Sequence, residues 1–306
     1  MKKKSITICD IIDCLGNSVL TIDGDVRGKS IDNIADVEHV TSSSLEWIKD
    51  SDESQKRAEM SSAMTIIVGQ KVVFSEEIQR QGKTLIRVAN PKLAIVRIGS
   101  RFFVERVHPG IHPTAIISEK AILGENIYIG PYCVIGAATI GNECEIDANV
   151  RIYDDVIMGN ECRVKSGAVI GGEGFGFEKD ESGNRYRFPQ IGSVRLGNRV
   201  EIGSNTCIDR GALSDTIIGD DTKINNLCHI AHNNKIGNNV TITGCVNVSG
   251  SNVIEDNVWI APNASIRGFI HLGEGCIIGM GAVVTKNVPK GETWVGNPAG
   301  PIVKKL

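Results

Sequence analysis

Histidine is the side chain best suited to take and return a proton near neutral pH, and this chain has six of them. His39, His108 and His112 fall in the first domain or at its junction, where solvated or capping roles suffice. Of the other three, His232 holds the third position of the segment IAHNNK, a turn position that faces outward. Eighteen residues on lies Gly250, in VSGSN, and in a coil of that length its backbone stands directly over the imidazole. A glycine N–H is unobstructed, and a base beside a backbone donor is the pairing that acyl transfer requires. The plainer reading of an exposed turn histidine is that it is incidental. A zinc site built from His229, His232 and His271 is the other alternative. It needs three converging ligands and an open position, whereas His229 and His232 are three apart across a turn and His271 falls in a different column. No metal site is predicted.

The coil length comes from a repeat. From Ile218 an aliphatic residue recurs at every sixth position through Ile224, Ile230, Ile236, Ile242, Val248, Ile254, Ile260, Ile266, Leu272, Ile278 and Val284. Four residues after each comes a mostly small or β-branched one, such as Val240, Val246, Ala264 or Cys276, with Gly, Asn, Asp and Ser between. The phase continues backward through Ile208, Ile202 and Leu196, then from Ile170 to Ile140, and after a one-residue slip from Ile135 to Ile111. An amphipathic helix repeats at three and four, not six. Short strands joined by tight turns fit the pattern, three hexads to a coil, stacked at ~4.8 Å. The chain is therefore mainly β, a parallel β-helix over 109–288. Five cysteines (Cys133, Cys144, Cys162, Cys228, Cys276) lie on the inward phase of small residues and are predicted to be buried free thiols.

Two stretches break the repeat, about 171–194 (GGEGFGFEKDESGNRYRFPQIGSV) and the short ALSDTI before Ile218. A solenoid tolerates insertions only where they loop out, often over a working face. Residues 1–108 lack the hexad and read as a small α/β domain. Ser5 is expected to cap a helix carrying Ile8, Ile11, Ile12 and Leu15, with Gly16 at its end. Strands are expected at Val19–Ile22, Thr65–Val68 and Leu85–Val88, and a second helix over Ser51–Ala63. Residues 289–306 form a C-terminal tail.

The formal net charge of −3 and sequence pI near 6.1 give no basic footprint for nucleic acid. MKKKSITICDIIDCLG imitates the start of a signal peptide, but Asp10 and Asp13 interrupt its apolar stretch, and no run is long enough for a transmembrane helix. The expected location is cytoplasmic.

The segments GGEGFGF and FPQIGSVRLGNRVEIGSNTCIDRGALSDTIIGDDTKINNLCHIAHNNKIGNNVTITGCVNVSGS resemble the UDP-3-O-acylglucosamine N-acyltransferase family of the lipid A pathway. LTIDGDVRGKSIDNI and VANPKLAIVRI resemble that family's nucleotide-binding module more weakly. The resemblance implies a left-handed β-helix and a homotrimer with sites in clefts between neighbouring copies. It implies His232 as catalytic base and Gly250 as oxyanion donor. Substrate contacts would come from Trp47, Asp50, Phe175, Phe177, Asn225, His229 and Asn233, with a UDP-amino sugar as acceptor, an acyl thioester of acyl carrier protein or coenzyme A as donor, and no bound cofactor.

Four features depart from that family. SLEWIKDSDES supplies Trp47 and Asp50 but no second aromatic for the uracil contact; Asn225 stands where an Asp is common; a second family histidine aligns near Phe269. The ending GMGAVVTKNVPKGETWVGNPAGPIVKKL, with prolines at 289, 298 and 301, opposes the family's carrier-docking helix and resembles coenzyme A-dependent sugar acetyltransferases. Acetyl transfer from coenzyme A to a nucleotide sugar is therefore one alternative, and a non-catalytic solenoid that binds sugar nucleotide is another.

Overall fold

The computed structural model describes residues 5–105 and 107–302, in two compact units, Met1–Arg106 and Val107–Leu306. The second is a left-handed parallel β-helix whose walls are three sheets of eight, nine and eleven strands. Its register is the sequence period made physical: Ile224 pairs with Ile242 and Ile242 with Ile260, a step of 18 residues. Every aliphatic of the run from Ile218 to Val284 is thereby stacked on its own kind inside the prism, and Ile230, Ile242, Val248, Ile260 and Leu272 have no exposed surface. Burying each such side chain stabilises the coil by about 1.5–3 kcal/mol. The five cysteines of the inward phase are at most 2% exposed. Ile111, at the open first coil, is 52% exposed because nothing stacks beneath it.

The hexad turns through a left-handed residue at its corners, which is why Asn recurs there: Asn233, Asn257 and Asn263 have φ of 63°, 61° and 60°. The slip seen in the sequence is one coil a residue short, with Ile135 pairing to Ile152. The two interruptions lengthen the step where they occur. Ile170 pairs with Ile208 across the first and Ile208 with Ile230 across the second. Both leave the solenoid between a strand of the nine-stranded sheet and one of the eight-stranded sheet. They therefore root at one corner of the prism. The first folds into an antiparallel hairpin, Phe177–Lys179 with Arg185–Arg187.

Residues 289–302 pack against the last coil. Thr293–Val295 adds a parallel strand beside Ile277–Ile278, Gly300–Pro301 turns back on it, and Trp294 closes the end of the core at 9% exposure.

The first unit is a five-stranded sheet ordered Val19–Asp23, Thr84–Val88, Thr65–Val68, Ser44–Ile48, Asn33–Ile34, antiparallel at its first pair and parallel thereafter. Its first helix, Ile8–Leu15, is capped by Thr7 in a reciprocal box with Asp10, not by Ser5. The second helix is shorter than expected, Ser54–Met60. Among the described residues no helix is long and apolar enough to cross a membrane.

Candidate active site

His232 sits at the corner where both insertions root, in the turn between the strands His229–Ile230 and Lys235–Ile236. Two buried amides pin that corner from within. Asn234 donates to the carbonyls of Ala231 (2.6 Å) and Ser249 (3.0 Å), and its Oδ1 accepts the Asn252 N–H at 3.0 Å. Asn252 repeats the pattern one coil on, donating to Ser249 O at 2.6 Å and accepting from Ile270 N at 2.7 Å. Both residues are fully buried, so each satisfied amide fixes backbone that would otherwise be a mobile turn.

The half-buried imidazole is fixed by its neighbour. His232 Nδ1 lies 2.9 Å from Asn233 Oδ1. That oxygen also accepts the Ala212 N–H at 3.0 Å, while Asn233 Nδ2 donates to Ser214 O and to Ser214 Oγ, both at 3.0 Å. A carbonyl accepts only, so the Asn233 amide has one permitted orientation and its Oδ1 requires a proton on His232 Nδ1. In the neutral ring, Nε2 then carries the lone pair. This is the tautomer a general base needs. Asn233, expected among the substrate contacts, has its side-chain amide hydrogen-bonded within the chain, where it orients the imidazole.

Gly250 stands over the ring as the coil length predicted. A Cβ there would meet His232 Cε1 at 2.8 Å, Nε2 at 3.0 Å and Nδ1 at 3.2 Å. Among the described residues no acceptor takes the Gly250 N–H. On the ring's other side the first insertion closes in: a Cβ on Gly174 would lie 2.9 Å from both Cβ and Cδ2 of His232 and 2.7 Å from Gln190 Oε1. Sequence reasoning named neither Gly174 nor Gln190. The one available signal was that both insertions interrupt the repeat between the same two strands of a coil.

The remaining expected residues are dispersed. Phe175 adjoins Gly174 and is 82% exposed, its ring edge-on to Phe177 with centroids 5.0 Å apart. The Arg187 guanidinium lies 5.0 Å from the centre of the Phe177 ring. His229 is engaged at both nitrogens, by Asp209 Oδ2 at 3.0 Å and Asn247 Oδ1 at 3.3 Å. The Asp209 hydrogen bond holds its pKa above the ordinary histidine value, against the desolvation that would lower it. Both ring nitrogens are thus hydrogen-bonded within the chain. Asn225 is exposed at a different corner, after the strand Lys223–Ile224 of the eleven-stranded sheet, and lines a cleft of about 420 Å³ with Lys165, Glu201 and Lys223. His271 pairs with Glu255 at 2.8 Å on the eight-stranded sheet. Among the described residues no three candidate metal ligands converge.

In the first unit, half-buried Trp47 lines a cleft of about 350 Å³ with Asp50, Glu53 and Arg57. Asp50 also anchors a loop. Its two oxygens accept the N–H groups of Gln70 and Lys71 at 3.0 Å each, and a carboxylate with about four acceptor sites keeps capacity for a further partner.

Residues 137–172 and 253–286 match the family described as bacterial transferase hexapeptide (six repeats). The UDP-3-O-acylglucosamine N-acyltransferase of Delftia acidovorans is 33% identical over 95% of this chain and 86% of its own, and that of Coxiella burnetii is 32% identical over 88% and 83%. Among solved structures, the UDP-N-acetylglucosamine acyltransferase of Francisella novicida superposes with a TM-score of 0.58 at 26% identity, covering 63% of this chain and 70% of that one. Similarity on this scale reaches both units, and the chain belongs to the UDP-3-O-acylglucosamine N-acyltransferase family.

Proposed function

We propose that this protein transfers an acyl group from a thioester to the amine of a UDP-linked amino sugar. The observation that carries the reading is the stack of Gly250 on an imidazole whose tautomer is set by Asn233. In the reaction, His232 Nε2 takes a proton as the amine attacks the thioester carbonyl. The Gly250 N–H meets the developing oxyanion, and collapse of the tetrahedral intermediate expels the thiolate, which recovers the proton from His232. Trp47 contacts the nucleotide, and Phe175 and Phe177 offer an apolar wall beside the base. Asn225, one corner away, reaches a neighbouring copy's site in a homotrimer acting in the cytoplasm.

Replacing His232 with Ala should lower turnover by about 10²–10⁴, the usual worth of a positioned base. Unchanged turnover would sink the assignment. Supplying both an acyl carrier protein thioester and acetyl-coenzyme A to the purified protein identifies the donor. A second reading, acetyl transfer from coenzyme A, draws on residues 289–302, which form strands against the last coil and no helix. Turnover with acetyl-coenzyme A alone would establish it.

A further inference from the structure

Among the described residues one buried side-chain oxygen or nitrogen has no hydrogen-bond partner, and it is Gln190 Oε1. Gln190 is 9% exposed and closes the first insertion. Its amide is not free to turn. Nε2 donates to Phe188 O at 3.2 Å and lies on the Gly176 side, while Oε1 lies on the Gly174 side, across which stands the Cβ–Cδ2 edge of His232. Buried carbonyls left unpaired are rare and costly. One kept unpaired beside a base invites the question of when it is compensated.

The charges nearby are already committed. Arg187 donates to Gly174 O at 3.4 Å and faces Glu173 at 3.6 Å; Arg210 donates to Gly171 O at 2.9 Å and Asp154 O at 2.8 Å; Asp215 accepts the Ser193 N–H at 2.9 Å and pairs with Arg195. None of these partners is Gln190. A neutral imidazole offers the oxygen little. Once Nε2 takes the proton of the attacking amine the ring is a cation, its Cδ2–H edge is electropositive, and a buried, unpaired carbonyl oxygen across Gly174 from that edge is attracted to it.

We propose that Gln190 is a positioning residue for His232, its amide oxygen held unpaired in the resting enzyme so that it faces the imidazolium formed during acyl transfer. The inference rests on the reading of His232 as base. It predicts that the insertion is part of the catalytic apparatus and not only a wall.

Gln190→Met keeps the side-chain volume and removes the acceptor; Gln190→Glu keeps an acceptor and adds charge. For Gln190→Met we expect kcat to fall about 3- to 10-fold with KM for both substrates within twofold, and the acid limb of the pH profile to move to lower pH. Gln190→Glu should move that limb the other way. The NMR titration midpoint of the His232 ring should shift in the same senses, in protein that need not turn over. Titration midpoints unmoved in both variants overturn the proposal, as does a large rise in KM at constant kcat, which would make Gln190 a substrate contact. If His232→Ala leaves turnover intact, the base assignment falls; the ring titration still decides by itself whether Gln190 is coupled to the imidazole.

Discussion

Asn233→Gly isolates the orienting role of the amide. The residue has φ 63°, a region where glycine is unstrained, so this substitution removes the side chain without the roughly 1–2 kcal/mol that a residue such as Ala would carry there. What is lost is the acceptor 2.9 Å from His232 Nδ1 and the bonds to Ala212 N, Ser214 O and Ser214 Oγ. At about 0.5–1.5 kcal/mol net for each of these partly exposed bonds, stability should fall by about 2–3 kcal/mol, allowing for water replacing some of them. In a serine-protease triad, forcing the wrong tautomer costs about 10⁴ in kcat, with a carboxylate as the missing partner. Here the partner is a neutral amide and the freed ring still samples the productive tautomer. We expect a loss of about 10- to 100-fold in kcat, equivalent to about 1.4–2.8 kcal/mol, with KM little changed. The assay is steady-state acyl transfer, with thermal unfolding to confirm that the enzyme is folded at the assay temperature. A folded Asn233→Gly protein with kcat within threefold of the parent would refute the tautomer argument.

Gly250→Ala places a methyl 2.8 Å from His232 Cε1 and so displaces the ring or the oxyanion donor; turnover should fall by about 10²–10³. Gly300→Ala is the control, with nothing within 4 Å of the added methyl, and comparable loss in both would mean that glycine matters for the solenoid and not for the site. His229 has a raised pKa through Asp209, so its contribution to stability is complete below the ordinary histidine value and declines as pH rises through its own higher midpoint. Thermal unfolding followed from about pH 6 to 9 should therefore show a decline in the parent that Asp209→Asn flattens; parallel curves would show that the pair does not couple to folding.

The β-helix was legible because a six-residue period admits few folds and its consequences are local: aliphatics inward, a left-handed corner, a fixed step between coils. The same step led from His232 to Gly250. The first unit was less legible where tertiary partners override local signals. Ser44–Ile48 escaped notice as a strand because Glu46 sits in its middle, and its buried carboxylate is tolerated only through Arg57, at 2.8 Å, and the Ser61 hydroxyl. The helix Pro91–Ile98 carried its signals in plain view, an Asn90 cap and proline in the first turn, but they lie in a stretch read for its family resemblance. Asp50 was placed by resemblance, and its bonds to the loop at Gln70 and Lys71 follow from tertiary contacts that spacing does not encode. Gln190 was invisible for a deeper reason. An insertion has no period, so nothing in its spacing says which of its residues folds back onto the coil.

The corners of a solenoid are chemically alike, and what singles one out is interruption. Both insertions open at the corner of His232, in the coils that precede it, so the base has walls on the side where they fold back and bare backbone on the side of Gly250. Continuing the column by one more coil gives Gly268, where a Cβ would lie 2.9 Å from Gly250 O. Glycine at both positions keeps side chains out of the space above the base and leaves the Gly250 N–H open to an incoming carbonyl. The buried Asn234 and Asn252 amides hold that backbone in place. Donors fixed before the reaction cost no reorganisation when charge develops. The geometry around His232 is therefore set by amides bonded within the chain, Asn233, Asn234 and Asn252.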